Sequence, residues 1–197
     1  ATEFLERYTK KENLPLITSC SPGWIKFCEH YHHDMIPHLS SCKSPQGMFG
    51  AIAKTYYAEK IGVDPKDIFS VSVMPCTAKK FEAKRPELGR DGYQDVDCVI
   101  TVQELAEMIR SANIDFEKLP DTQFDAPFGL GSGAGVIFGA SGGVMEAALR
   151  TVYEILTGKT LEVIDFKQVR GFRDTREAVI TIGDLDVKVC ITSGLAN

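Results

Sequence analysis

The sequence predicts an α/β protein of two lobes, with mostly parallel sheets flanked by helices. Apolar segments with the twofold periodicity of strands alternate along the chain with segments of helical periodicity. Glycine and proline mark most boundaries between them. A polar, proline-containing stretch at residues 115–127 suggests a first lobe over residues 1–125 and part of a second lobe over residues 126–197. Functional loops of such folds lie at the carboxyl ends of strands.

The first third of the chain predicts three helices and one strand. Residues 2–10 have the pattern of a short helix, and the apolar segment LPLITSC, residues 14–20, predicts a buried strand. Pro22 opens a second helix that runs to residue 35, because proline is favoured at the first helical position. The third helix has an N-cap serine, a proline at its first position and a terminating glycine, which are Ser44, Pro45 and Gly62.

Strands and helices continue to alternate further along the chain. Residues 67–76 and 95–102 predict strands, and Thr101 and Glu104 form a T-x-x-E capping box for the helix that follows. A glycine-rich run then leads into an amphipathic helix that ends at Gly158. The last part of the chain predicts three strands, of which the last two form a hairpin around Gly183 and Asp184; they are residues 163–171, 177–184 and 185–194.

The composition is that of a globular protein and argues against several classes of partner. Of the 197 residues, 44% are hydrophobic and 25% charged, and no apolar run approaches the roughly 20 residues that span a bilayer. The net charge of -5, with basic residues interspersed among acidic ones, argues against nucleic acid. The start of the chain lacks the basic and apolar regions of a signal peptide, so we expect a cytoplasmic protein and interpret the chain as a piece of a longer one.

Two of the six cysteines lie at the ends of predicted strands. Cys20 occurs in TSCSPGW and Cys76 in MPCTAKKFE, and Lys79 lies three residues after Cys76. Nearby positive charge favours the thiolate, which is the form that binds metal or attacks carbon. The alternative is that both are small core residues, because free cysteine is among the most buried residue types. We interpret the other four cysteines as structural.

These two segments resemble the signatures of the FeFe-hydrogenases, the iron-only hydrogenases. TSCSPGW is similar to the first signature, T-S-C-C-P-x-W, and MPCTAKKFE matches the second, M-P-C-x-x-K-x-x-E. Later segments also resemble that family, including GAGVIFGASGGVMEAALRTVYE and VRGFRDTREAVI. The chain is therefore similar over nearly its whole length to the catalytic domain of the large subunit, truncated at both ends.

The resemblance implies reversible reduction of protons to hydrogen at a metal cluster in the lobe junction. In that family four cysteines hold a 4Fe–4S unit, which shares one sulfur with a di-iron unit carrying CO, cyanide and a bridging amine dithiolate. Electrons come from a ferredoxin-like protein or from other hydrogenase subunits, and some relatives are periplasmic. The third signature, E-x-M-x-C-x-x-G-C, would follow residue 197, so the fragment alone is predicted to be inactive.

The same resemblance implies roles for individual residues. Cys76 would be a ligand of the 4Fe–4S unit, and Lys79 would donate a hydrogen bond to a cyanide. Cys20 would relay protons or become a ligand itself, because Ser21 stands where the family has its second cysteine. The cluster pocket would be lined by Met74, Pro75, Gln46 and Phe138, and the proton path would also include Ser40, Glu3 and Arg7.

Two other functions stay open on the sequence. One is a non-catalytic hydrogenase-like protein that serves iron–sulfur assembly or senses redox state or hydrogen. The other is an unrelated α/β redox enzyme with a reactive Cys76. The proton-path residues favour the enzyme over an assembly protein, and the first signature argues against an unrelated fold.

Overall fold

The structure, a computed structural model, describes residues 1–183 and 185–197. Within this part the helices are α1 Thr2–Lys10, α2 Pro22–Tyr31, α3 Pro45–Ile52, α4 Ala58–Ile61, α5 Ala78–Glu82, α6 Val102–Ser111, α7 Gly133–Ile137 and α8 Gly143–Thr157. The strands are β1 Val71–Met74, β2 Gly89–Arg90, β3 Tyr93–Gln94, β4 Cys98–Thr101, β5 Lys167–Gln168, β6 Thr175–Ile182 and β7 Leu185–Thr192. A π-helical turn, Ala53–Tyr57, joins α3 to α4.

The chain forms two compact units, each containing helices and strands. The first unit comprises Ala1–Thr18, Asp34–Ser40 and Gly131–Asn197, and the second comprises Ser19–His33 and Ser41–Leu130. The mixture of helices and strands confirms the predicted α/β class. Of the sheets in the described residues, β1 and β4 pair in parallel as predicted, whereas β2–β3 and β5–β6–β7 pair antiparallel. The N-terminal helix belongs to the same unit as the C-terminal strands, whereas the predicted lobe boundary after residue 125 groups it with the middle of the chain.

The core of the first unit lies between α8 and the hairpin of β6 and β7. Its buried members are Leu149 and Val152 from the helix, and Ile180, Ile182 and Val187 from the hairpin. β5, β6 and β7 form an antiparallel sheet, and buried residues recur at intervals along β6 because successive side chains point to opposite faces. One face of the hairpin is thereby covered by the apolar stripe of α8.

The second unit is built around a short parallel pair of strands. β1 and β4 pair in register from Val71 with Cys98 to Met74 with Thr101. α5 follows β1 and α6 follows β4, so that both helices begin at the carboxyl ends of these strands. α5 packs against α2 and β4. A parallel pair with helices at its carboxyl ends is the arrangement in which α/β proteins place functional loops.

The predicted helix boundaries are largely confirmed. Ser44 caps α3 by accepting a hydrogen bond from Gly47 N at 3.3 Å, and the capping box of α6 forms with both of its hydrogen bonds. Gly62 and Gly158 end their helices with φ values of 67° and 65°, in the left-handed region that glycine adopts without strain.

Three predicted boundaries are wrong. The strand predicted for residues 14–20 is an extended loop with a single bridge, between Ile17 and Leu39. The second helix ends at Tyr31, and a 3-10 segment, His33–His38, follows it. The strand predicted for residues 163–171 is limited to β5, Lys167–Gln168, because among its residues these two pair with β6. The hairpin prediction rests partly on Asp184, which lies outside the described residues. No helix in the described ranges has the length and apolarity to cross a bilayer.

Candidate functional site

The Cys76 loop joins β1 to α5 in the second unit. β1 ends at Met74, and the helix begins at Ala78. Cys76 is exposed, and its carbonyl oxygen accepts a hydrogen bond from Lys79 N at 3.2 Å. The thiol therefore lies just past the carboxyl end of a parallel strand, which is where the sequence predicts it.

The Cys20 loop belongs to the same unit and leads into α2. The Cys20 side chain is half-buried. Ser21 is the N-cap of α2, and its hydroxyl accepts a hydrogen bond from Trp24 N at 3.4 Å. Ser19 Oγ donates to the carbonyl oxygen of Cys42 at 2.7 Å, which ties this loop to the segment before α3. The serine next to Cys20 therefore has a structural use at the start of the helix.

Lys79 connects the two cysteine loops. Its ammonium group donates to the carbonyl oxygen of Cys20 at 2.8 Å and to Glu82 Oε2 at 2.6 Å. The Lys79 and Glu82 side chains are only 12% and 8% exposed. The lysine is thus held between two loops and a carboxylate instead of extending into solvent, as a buried ammonium requires.

The N-terminus of α3 completes this group. Ser44 Oγ donates a hydrogen bond to Glu82 Oε1. Gln46 is buried, and its Nε2 lies 3.5 Å from the carbonyl oxygen of Lys79. Gln46 Oε1 has no hydrogen-bond partner among the described residues. A buried acceptor of this kind is suited to accept a hydrogen bond from a water or a ligand.

Glu29 on α2 and Arg85, three residues after the end of α5, form a two-point ion pair. Arg85 Nη1 lies 3.1 Å from Glu29 Oε2, and a second hydrogen bond joins Arg85 Nη2 to Glu29 Oε1. This hydrogen bonding lowers the pKa of Glu29 below its ordinary value and raises the pKa of Arg85. The pair therefore favours both charged forms and holds the two helices together.

The predicted proton-path residues of the first unit lie together. Glu3 Oε1 accepts a hydrogen bond from Arg7 Nη2 at 2.8 Å, and Glu3 Oε2 accepts one from Ser40 Oγ at 2.5 Å. Arg7 also donates to main-chain carbonyls, including that of Leu39 at 2.8 Å. The arginine thereby fixes both the carboxylate and the segment that carries Ser40. The fourth predicted member, Cys20, belongs to the second unit.

The remaining predicted pocket residues have less defined surroundings. Met74 is half-buried at the end of β1, and Pro75 is exposed in the Cys76 loop. Phe138 follows α7 in the first unit and is 39% exposed. The sequence interpretation did not assign Glu82 a role in the site. Its place as the last residue of the second signature, three residues after Lys79, was the available signal.

The two loops fit part of the ligand set of an iron–sulfur cluster. Such a cluster needs thiolates around one compact group of iron atoms. Cys20 and Cys76 lie in the same unit, and Lys79 contacts the main chain of both loops. The ammonium group and the unpartnered Gln46 Oε1 supply polar groups beside them. Within residues 1–183 and 185–197, no three or more His, Cys, Asp or Glu side chains are grouped to hold a metal ion.

Comparison with known proteins identifies the family. The family described as iron only hydrogenase large subunit, C-terminal domain, matches residues 1–197. The chain is 52% identical, over 98% of its length, to the periplasmic Fe hydrogenase large subunit of Nitratidesulfovibrio vulgaris, of which it covers 46%. An apo FeFe-hydrogenase HydA1 from Chlamydomonas reinhardtii superimposes with a TM-score of 0.80 and 47% identity, over 92% of this chain and 46% of that one. The chain belongs to the iron-only hydrogenase large-subunit family.

A second group of relatives has a different function in its name. The cytosolic Fe–S cluster assembly factor narfl of Xenopus tropicalis is 32% identical over 90% of this chain and 39% of its own length. The chain spans less than half the length of each of these three relatives. Family membership therefore leaves the activity of the whole protein to be argued from the site.

Proposed function

We propose that this chain is the central part of an FeFe-hydrogenase catalytic domain, which reversibly reduces protons to hydrogen. The observation that carries the proposal is Lys79, which follows the Cys76 loop and whose ammonium group, on a side chain only 12% exposed, donates to the main chain of the Cys20 loop. A cation held at the main chain of one cysteine loop, three residues after the other cysteine, suits an anionic metal group. The electron donor would be a ferredoxin-like protein or another hydrogenase subunit. The predicted cytoplasmic location stays a prediction, since one similar protein is named periplasmic.

The residues of the second unit would hold the cluster. We assign Cys76 as a thiolate ligand of a 4Fe–4S unit, and Cys20 as a second ligand or as the proton relay nearest to the di-iron unit. When bound, this group, with its CO, cyanide and bridging dithiolate, would supply the redox chemistry. Lys79 would donate its remaining N–H to a cyanide. Met74, Pro75 and Gln46 would line the pocket and exclude water.

The residues of the first unit would carry protons. Ser40 donates to one oxygen of Glu3, so the two side chains can pass a proton along an existing hydrogen bond. Arg7 holds the other oxygen and keeps the carboxylate aimed at Ser40. An iron–sulfur assembly factor has no need for such a pair, and we therefore favour the enzyme over a non-catalytic relative.

The test is hydrogen evolution from reduced viologen by the full chain in which this sequence occurs, after maturation with the di-iron unit. We expect activity in the wild type and loss of both activity and bound iron in Cys76→Ser, because a hydroxyl is a poor ligand for iron. Cys190→Ser is the matched control, since this exposed cysteine lies on β7. The 197-residue chain, tested in parallel, should be inactive, because two thiols supply half of a four-cysteine site. Absence of turnover in a fully iron-loaded full chain would contradict the proposal.

A further inference from the structure

We propose that Glu82 is a positioning residue that fixes the Cys20 loop through Lys79. The Lys79 clamp consists of the Glu82 carboxylate, the Lys79 ammonium and the carbonyl oxygen of Cys20. It joins α5, which follows one cysteine, to the main chain of the other cysteine. Glu82 would thereby set where the Cys20 thiol lies without touching it.

The number of donors on the lysine supports this role. An ammonium group has three N–H donors. Among the described residues, Glu82 Oε2 takes one at 2.6 Å and Cys20 O takes a second at 2.8 Å. The two acceptors define the position of the nitrogen, so the direction of its third N–H is fixed. A lysine held by one acceptor alone would rotate about its long stem.

The carboxylate that orients the lysine is itself fixed. Ser44 Oγ donates to Glu82 Oε1, and Ser44 is also the N-cap of α3. Ser44 and Glu82 are 4% and 6% exposed. Both oxygens of Glu82 therefore have donors inside the protein, and loss of its charge would leave the Lys79 ammonium buried beside a neutral group.

A comparison within the chain separates this pair from an ordinary helix ion pair. Asp115 and Lys118 have the same spacing of three residues, but their side chains are 53% and 83% exposed. Solvent screens a pair of that kind, and its loss changes little. Lys79 and Glu82 are buried, and the lysine has an additional partner 59 residues away along the sequence. Only the buried pair connects two loops.

The test measures the alkylation rate of Cys20 by iodoacetamide in the full chain prepared without the cluster. Rates of all variants are compared at one neutral pH, and the rate of each variant unfolded in guanidinium chloride is the reference for full access to the sulfur. We expect Glu82→Gln and Lys79→Met each to raise the Cys20 rate about tenfold, with no further rise in the double variant, since both break the same clamp. Lys79→Arg, which retains cationic donors, should restore most of the protection.

Glu104→Gln is the matched control. Glu104 binds Lys80, the neighbour of Lys79 on α5, but this pair is exposed and joins α5 to the start of α6. Glutamine also preserves the capping box of α6. Cys28, which is completely buried, serves as the internal reference for global unfolding.

An unchanged Cys20 rate in both Glu82→Gln and Lys79→Met would overturn the proposal. A rise that extends to Cys28 in both variants would also overturn it, because the effect would then be general loosening. The assignment of the third N–H to a metal-bound anion rests on the proposed function, whereas the clamp does not. A chain without hydrogenase activity in which the Cys20 rate still rises would retain the clamp and refute the function.

Discussion

Individual carboxylates with both oxygens bound organise the polar groups in each unit. Glu3 is held by Arg7 and Ser40 in the first unit, and Glu82 by Lys79 and Ser44 in the second. Two donors fix both the position and the plane of a carboxylate, which a single surface contact does not. The Glu82 carboxylate is therefore suited to position Lys79, and the Glu3 carboxylate is suited to exchange a proton with Ser40.

Glu3→Gln tests the proton path at this scale. The amide keeps the size of the side chain but cannot gain and release a proton, so hydrogen turnover by the matured full chain should fall about 100-fold or more. Iron content should stay unchanged. Glu6→Gln, at an exposed position of the same helix, is the control and should have wild-type turnover. Equal rates in the two variants would remove Glu3 from the path.

Glu29→Gln tests the ion pair between Glu29 on α2 and Arg85, which follows α5. Because the folded-state pKa of Glu29 is lowered, its ionisation stabilises the protein above the ordinary pKa of 4.5, and this contribution disappears as the pH falls through the folded-state pKa. We expect the variant to lose about 1 kcal/mol of unfolding free energy at neutral pH. The difference from wild type should vanish in acid. Urea unfolding across pH measures this, with Asp115→Asn as the control, and a difference independent of pH would contradict it.

At the scale of elements, the glycine-rich run has a packing role at the start of α8. A Cβ on Gly143 would lie 1.8 Å from the carbonyl oxygen of Ile137, the last residue of α7. Gly142 has a φ of 83°, and a Cβ there would meet Ile191 Cδ1 at 2.4 Å. By contrast, Gly133 and Gly135 have open space around them. The close approach of two helices therefore explains the second half of the run.

Gly143→Ala should accordingly destabilise the protein by about 2 kcal/mol or more, because the methyl group must displace backbone. Gly135→Ala, inside α7, is the matched control and should be neutral or slightly stabilising, since alanine favours helix over glycine. Thermal unfolding of the two variants measures the difference. Equal melting temperatures would show that α7 can move away from α8 at little cost.

Local signals predicted elements well where the chain itself supplies the partners. The caps at Ser44 and Thr101 and the stop at Gly158 depend on neighbouring residues and formed as predicted. Strands depend on partners that are distant in the sequence. Residues 14–20 include Pro15, which has no N–H to donate, and among the described residues they form a single bridge, between Ile17 and Leu39. The position of Glu82 in the site also depends on a distant contact, with Ser44, which no spacing rule reveals.

At the scale of the whole molecule, the proposed site needs four thiolates, of which Cys20 and Cys76 would supply two. It also leaves Val71 and Val73 of β1 52% and 43% exposed, although parallel strands are usually covered on both faces. The chain covers 46% of the similar hydrogenase subunit. The proposed function is therefore to be measured on the full chain in which this sequence occurs.

Infrared spectroscopy of the matured full chain tests the central claim most directly, because only the hydrogenase site carries iron-bound CO and cyanide. We predict absorption bands from both ligands, with the cyanide band shifted in Lys79→Met and unchanged in Lys80→Met, whose ion pair with Glu104 is exposed. A chain that binds a 4Fe–4S cluster but shows neither band would contradict the claim and would place this protein with the iron–sulfur assembly relatives.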